Sequence, residues 1–93
     1  LMPRLHDQAR AEFLTDHPDC TISGESLHRV FTFADFPAAS AFVTHLAFAA
    51  EAVDHHPDID VRWNKVSITL STHEAGALTE KDTGLAVAIE DLA

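Results

Sequence analysis

The chain has 93 residues, 46% hydrophobic and 23% charged, with 3 glycines and 4 prolines, which fits one small globular domain and excludes disorder and collagen-like repeats. Its 6 Lys and Arg against 15 Asp and Glu give a formal charge of −9, which repels phosphate backbones and anionic lipids, so nucleic acid is not an expected partner. No apolar run approaches the roughly 18–20 residues a membrane helix needs, the single cysteine cannot close an intramolecular disulfide, and no basic stretch leads into an apolar segment at the start, so a cytoplasmic location is expected.

Leu5, Ala9 and Phe13 recur at helical spacing up to Asp16, which predicts a short amphipathic helix that His17-Pro18 breaks. Cys20 to Ser23 and Leu27 to Phe33 are rich in β-branched and aromatic residues, and Gly24-Glu25 between them supplies a turn, predicting a hairpin. In its second arm Leu27, Arg29, Phe31 and Phe33 alternate with His28, Val30 and Thr32; neither face is wholly polar, and a second chain is expected to cover part of it. Asp35-Phe36-Pro37 is a helix start, and Ala39, Phe42, Val43, Leu46, Ala50 and Val53 carry an apolar stripe as far as Asp54.

Ile59, Val61 and Trp63 then alternate with Asp58, Asp60 and Arg62, and Val66 to Ser71 follows, so a second hairpin is expected to turn at Asn64-Lys65. Thr79-Glu80-Lys81-Asp82 resembles a capping box, with Leu85, Ala88, Ile89 and Leu92 as the stripe of a last helix. The order helix-strand-strand-helix-strand-strand-helix over residues 1–93 predicts a single α+β domain: a four-stranded antiparallel sheet with three helices on one face. A domain this small is marginally stable alone, which favours self-association.

Histidine is over-represented, with 7 in the chain. His6, His17, His28 and His45 stand alone, but His55 and His56 fall where the long helix stops and His73 follows the fourth strand. Antiparallel pairing of the intervening hairpin would bring these ends together. Glu51, Asp54, Glu74 and Asp82 lie nearby in sequence, yet no C-x-x-C or H-E-x-x-H spacing is present and adjacent histidines do not readily share one ion, so no metal is expected. Cys20 lacks the setting of a nucleophile, and no glycine-rich loop is available to cradle phosphate. Imidazoles and carboxylates alone can move protons, which suffices for elimination, dehydration or tautomerisation.

Glu51-x-x-x-His55-His56-Pro57, then Trp63, His73 and Asp82 at set distances, resembles the signature of the pterin-4a-carbinolamine dehydratases; it spans 32 residues and fixes seven positions. Trp63-Asn64-Lys65-Val66 and Leu70-Ser71-Thr72-His73-Glu74 are similar to that family too, and looser similarity runs through Phe33-x-Asp35-Phe36 and the long helix. The resemblance implies dehydration of 4a-hydroxytetrahydropterin to quinonoid dihydropterin, in recycling of the cofactor of aromatic amino acid hydroxylases, with no cofactor of its own. It implies His55, His56 and His73 as the catalytic set, the pterin held at Asp54, His55, His56, Ser71, Thr72 and His73, and Glu51 and Asp82 orienting the histidines. It also implies dimers or tetramers in which edge strands meet. A non-enzymatic pterin-binding, dimerisation or assembly role on the same fold is the alternative. Cys20 stands where the family commonly has a tryptophan, which bears on local packing or pocket width.

Overall fold

The computed structural model describes residues 2–93. Its elements are helix α1 (Asp7–Asp16), strands β1 (Cys20–Ser23) and β2 (Ser26–Thr32), helix α2 (Phe36–Ala52), strands β3 (Asp58–Arg62) and β4 (Lys65–Leu70), a 3₁₀ turn at His73–Ala75, and helix α3 (Glu80–Leu92). This is the predicted α+β order. The four strands form one antiparallel sheet in the order β1-β2-β4-β3, so the two hairpins meet along β2 and β4 in the middle.

The period of two along the strands decides which side is covered. Leu27 and Phe31 of β2 and Val66, Ile68 and Leu70 of β4 point to one face and are buried, together with Cys20 of β1. Against them pack Ala39, Phe42, Leu46 and Ala50 of α2 and Leu85, Ala86 and Ile89 of α3, with Phe13 and Leu14 of α1 partly buried at the edge. The three helices therefore share one face. No helix covers the other, where Val30 is half exposed.

Two local details differ from expectation. The β3–β4 turn is Trp63-Asn64, not Asn64-Lys65, because Arg62 pairs with Lys65. Asn64 is pinned there from both sides: its carbonyl accepts from the Phe33 amide and its side-chain Nδ2 donates to the Phe33 carbonyl, both at 2.8 Å. Trp63 takes the strain, with φ 50°, where side chains rarely go. In α1 the surprise is Arg10, which belongs to the polar background of the sequence but is buried. Its guanidinium donates to the Leu5 and Gly24 carbonyls and to Glu25, each within 2.7 Å, and so ties the helix to the first hairpin turn.

No helix among the described residues is long and apolar enough to cross a membrane.

Candidate active site

The site begins with the way α2 ends. Asp54 adopts a left-handed conformation (φ 50°), its amide donates to the Glu51 carbonyl, and the His55 amide donates back to the Ala50 carbonyl at 3.1 Å. This is the Schellman arrangement, with Asp in the position usually given to Gly. It turns the chain sharply, so that His55 is buried under the helix end while His56 stays exposed. At the start of the last helix Thr79 caps α3, and Asp82, three residues on, accepts the Thr79 amide to complete the capping box.

These two helix ends meet. His55 Nε2 lies 2.5 Å from Asp82 Oδ1, with Asp82 fully buried. Asp82 Oδ2 accepts from the Thr72 hydroxyl at 2.8 Å and from the Thr79 amide at 2.9 Å, so the carboxylate takes three donors where burial alone would strongly disfavour its charge. His56 Nε2 pairs with Glu51 Oε1 at 2.8 Å on the solvent side. That hydrogen bond raises the His56 pKa above its ordinary 6.5.

The second hairpin supplies the rest. Because β3 and β4 pair about Trp63-Asn64, the chain returns after Leu70 beside the end of α2. Asp54, His55, His56, Ser71, His73 and Glu74 line one small polar cleft of about 120 Å³. Glu74 and Lys81 pair across its rim at 3.4 Å. Beyond His55 lies a more apolar groove of about 230 Å³ between α2 and α3, lined by Ala49, Val53, Gly84, Leu85 and Ala88 among others.

A polar cleft holding three histidines, one backed by a buried carboxylate, is the arrangement whose sequence signature was noted above. The sequence pattern of the family described as pterin 4 alpha carbinolamine dehydratase matches residues 3–92. The chain belongs to this pterin carbinolamine dehydratase family. It is 54% identical over 91 residues to a Chloroflexus aurantiacus protein named "Putative pterin-4-alpha-carbinolamine dehydratase", covering 98% of each chain. A protein of the same name from Nocardia farcinica is 51% identical over 89 residues, 96% of this chain and 94% of that one. Among solved structures, one from Brucella melitensis described as a transcriptional coactivator/pterin dehydratase superposes with a TM-score of 0.92 at 32% identity, over 98% of this chain and 99% of the other. A pterin dehydratase-like protein described as a RuBisCO assembly factor in the alpha-carboxysome gives a TM-score of 0.66 at 27% identity, over 80% and 86%.

Within this family member, most of the residues singled out from sequence gather at the cleft: His55, His56, His73, Asp54 and Ser71 line it, with Glu51 paired to His56 and Asp82 behind His55. Thr72 does not line it. The Thr72 side chain is buried against Asp82, and its backbone amide and carbonyl are spent on a bridge to Ala77. Ser71 lines the wall, and its hydroxyl donates to the Glu25 carbonyl at 2.8 Å. Glu74 was not singled out as a site residue, although it ends the run Leu70 to Glu74 that resembles the family. Its carboxyl is held below the ordinary value, chiefly by a backbone amide hydrogen bond and then by Lys81. Cys20 lies in the core, and burial pushes its thiol pKa up, against the reactivity of a nucleophile. No group of three or more His, Cys, Asp and Glu among the described residues is arranged to hold a metal ion.

Proposed function

We propose that this chain dehydrates 4a-hydroxytetrahydropterin to quinonoid dihydropterin by histidine acid/base catalysis. The observation that carries the proposal is the meeting of His55, His56 and His73 on one cleft, with the buried Asp82 carboxylate bonded to His55. In the reaction the C4a hydroxyl gains a proton and leaves as water, while N5 loses a proton as the C4a=N5 bond forms. The protons balance, no electrons are exchanged, and one acid and one base suffice.

His55 is the acid at the hydroxyl. Asp82 fixes its Nε2 and compensates the charge the ring carries when protonated, leaving Nδ1 for the substrate. His56 or His73 takes the N5 proton or orients the ring; the Glu51 hydrogen bond raises the His56 pKa and so makes that ring the stronger base. Asp54 and Ser71 hold the flat edge of the pterin from the cleft wall. Thr72 acts through Asp82 and not by touching the ring.

The working form is a homo-oligomer in the cytoplasm, serving an aromatic amino acid hydroxylase. Support for association comes from the apolar side chains left uncovered: Phe36 and Phe48 on α2, Val53 just past its end, and Ile59 and Val61 on β3, the last strand of the sheet, whose outer edge is unpaired.

Purified protein added to synthetic carbinolamine, followed by ultraviolet absorbance, tests the reaction. Dehydration above the spontaneous rate is expected, and its loss in His55→Ala by roughly 10²–10⁴-fold is the size of one positioned proton transfer. A trace equal to the spontaneous one overturns the enzyme reading. Pterin affinity without turnover would instead favour a binding or assembly role, as the description of the more distant solved neighbour suggests for that protein.

A further inference from the structure

Behind His55 lies a hydrogen-bond chain whose direction is fixed by what each group can donate. Asp82, a carboxylate, only accepts. Thr72 has one hydroxyl proton, and it goes to Asp82 Oδ2 at 2.8 Å. The proton in the 2.6 Å contact between Thr72 Oγ1 and Thr79 Oγ1 must then come from Thr79. Thr79 Oγ1 in turn accepts the Lys81 amide at 3.2 Å, which is an N–H exposed by the start of α3. The chain therefore runs one way, from the Lys81 amide through Thr79 and Thr72 to Asp82.

The three side chains in it are out of solvent, with Thr72, Thr79 and Asp82 no more than 1% exposed. With Oδ2 occupied by Thr72 and the Thr79 amide, the carboxylate cannot rotate without breaking both bonds, and only Oδ1 is left for His55. An ionised acceptor at Nε2 requires the proton on that nitrogen, so the neutral ring is held in one tautomer with Nδ1 unprotonated, and Nδ1 is the nitrogen that must take up the proton His55 then gives to the leaving hydroxyl. Thr72 and Thr79 also stand at the two ends of the segment that carries His73 and Glu74, and the Thr72–Ala77 bridge closes its neck.

We infer that the Thr72 and Thr79 hydroxyls are positioning residues: through Asp82 they set the tautomer of His55, and by joining the neck of the 72–79 segment they hold His73 in register with it. This rests on the proposed dehydratase reading for its kinetic consequence, but not for its structural one. Neither threonine touches the cleft.

The test compares Thr72→Val, which keeps the shape and removes the hydroxyl, with Thr72→Ser, which restores it. Nitrogen-15 spectra of the histidine rings in the free protein read the tautomer, and carbinolamine kinetics read the consequence. In the parent and in Thr72→Ser, His55 is expected as the single Nε2–H tautomer. In Thr72→Val a second tautomer or exchange averaging is expected, with kcat lower by about tenfold or more and KM within about twofold, since no substrate contact is removed. A Thr72→Val protein with parental kcat and one unchanged tautomer overturns the inference. If circular dichroism shows that Thr72→Val does not fold, the parent spectrum decides: slowly exchanging Thr72 and Thr79 hydroxyl protons with an Nε2–H ring support it, and an Nδ1–H ring overturns it. A parent protein without turnover would sink the dehydratase reading, while the tautomer comparison would still decide this one.

Discussion

His55 and Asp82 stand 27 residues apart in sequence, and their side chains meet at 2.5 Å where the end of α2 and the start of α3 come together. The contact lets one carboxylate serve two purposes, since the Asp82 oxygen that does not meet His55 completes the cap of α3. Site geometry and helix docking are thereby joined.

Replacing Asp82 by Asn separates the two purposes. An amide oxygen can still accept from the Thr79 amide and the Thr72 hydroxyl, so the cap survives, but the NH2 group then faces Nε2 and forces the opposite ring tautomer. The expected result is a folded protein whose kcat on the carbinolamine falls on the order of 10²-fold or more, as wrong-tautomer variants of histidine sites do. Asp82→Ala, which leaves three buried donors unpartnered, should in addition lower the urea unfolding free energy by about 3 kcal/mol. Parental turnover in Asp82→Asn would contradict the role given to the carboxylate.

The pair of His56 with Glu51 has a pH signature. The folded protein holds the His56 pKa above 6.5, so the pair's stabilising contribution is fully present below about pH 6.5 and is lost as the pH rises through the raised value. In Glu51→Gln the His56 titration midpoint, followed by proton NMR, should move down toward the ordinary value. An unmoved midpoint would mean that the 2.8 Å contact does not persist in solution.

Glu25 behaves in the opposite sense. Its carboxyl is pulled from 4.5 down to about 2, first by the Arg10 hydrogen bond and then by the Leu78 amide. Its contribution is present above about pH 4.5 and is lost as the pH falls toward 2. Urea midpoints measured from pH 6 down to pH 2 should fall more steeply in the parent than in Glu25→Gln. Parallel curves would show that the Arg4 and Arg10 pairs contribute nothing.

Phe48 is 74% exposed on α2. If that face is covered in an oligomer, Phe48→Glu should lower the sedimentation mass toward the 10.2 kDa of one chain while leaving the circular dichroism unchanged. A parent that already sediments as a single chain would remove the oligomer from the proposal.

Periodicity carried much of this architecture. The Asp35 cap, the α2 stripe and the Thr79–Asp82 capping box are local patterns whose physics acts within four residues, and all three are present in the fold, save that Val53, expected to end the stripe, lies exposed just past the helix. Convergence of His55 and His56 with His73 followed from antiparallel pairing of the second hairpin, although its turn sits one residue earlier than expected, because the hold on Asn64 comes from Phe33, 31 residues away. The inward turn of Thr72 was not legible for the same reason. It follows a strand whose alternation says which side is covered but not what a long-range carboxylate will claim. Arg10 is a further case: a charged residue on a helix reads as solvated until the Gly24 carbonyl and Glu25 are seen to enclose it.

Trp63 is the only tryptophan in the chain, it is 68% exposed, and β3 separates it from the histidines. At about 3.3 Å per residue the five residues of the strand span some 17 Å of backbone between Trp63 and the end that adjoins the cleft. The colour of the protein's intrinsic fluorescence therefore reports on wetting of the hairpin tip and not on occupancy of the cleft: it should shift to the blue when another molecule covers that end, and stay fixed when a small heterocycle binds at the other.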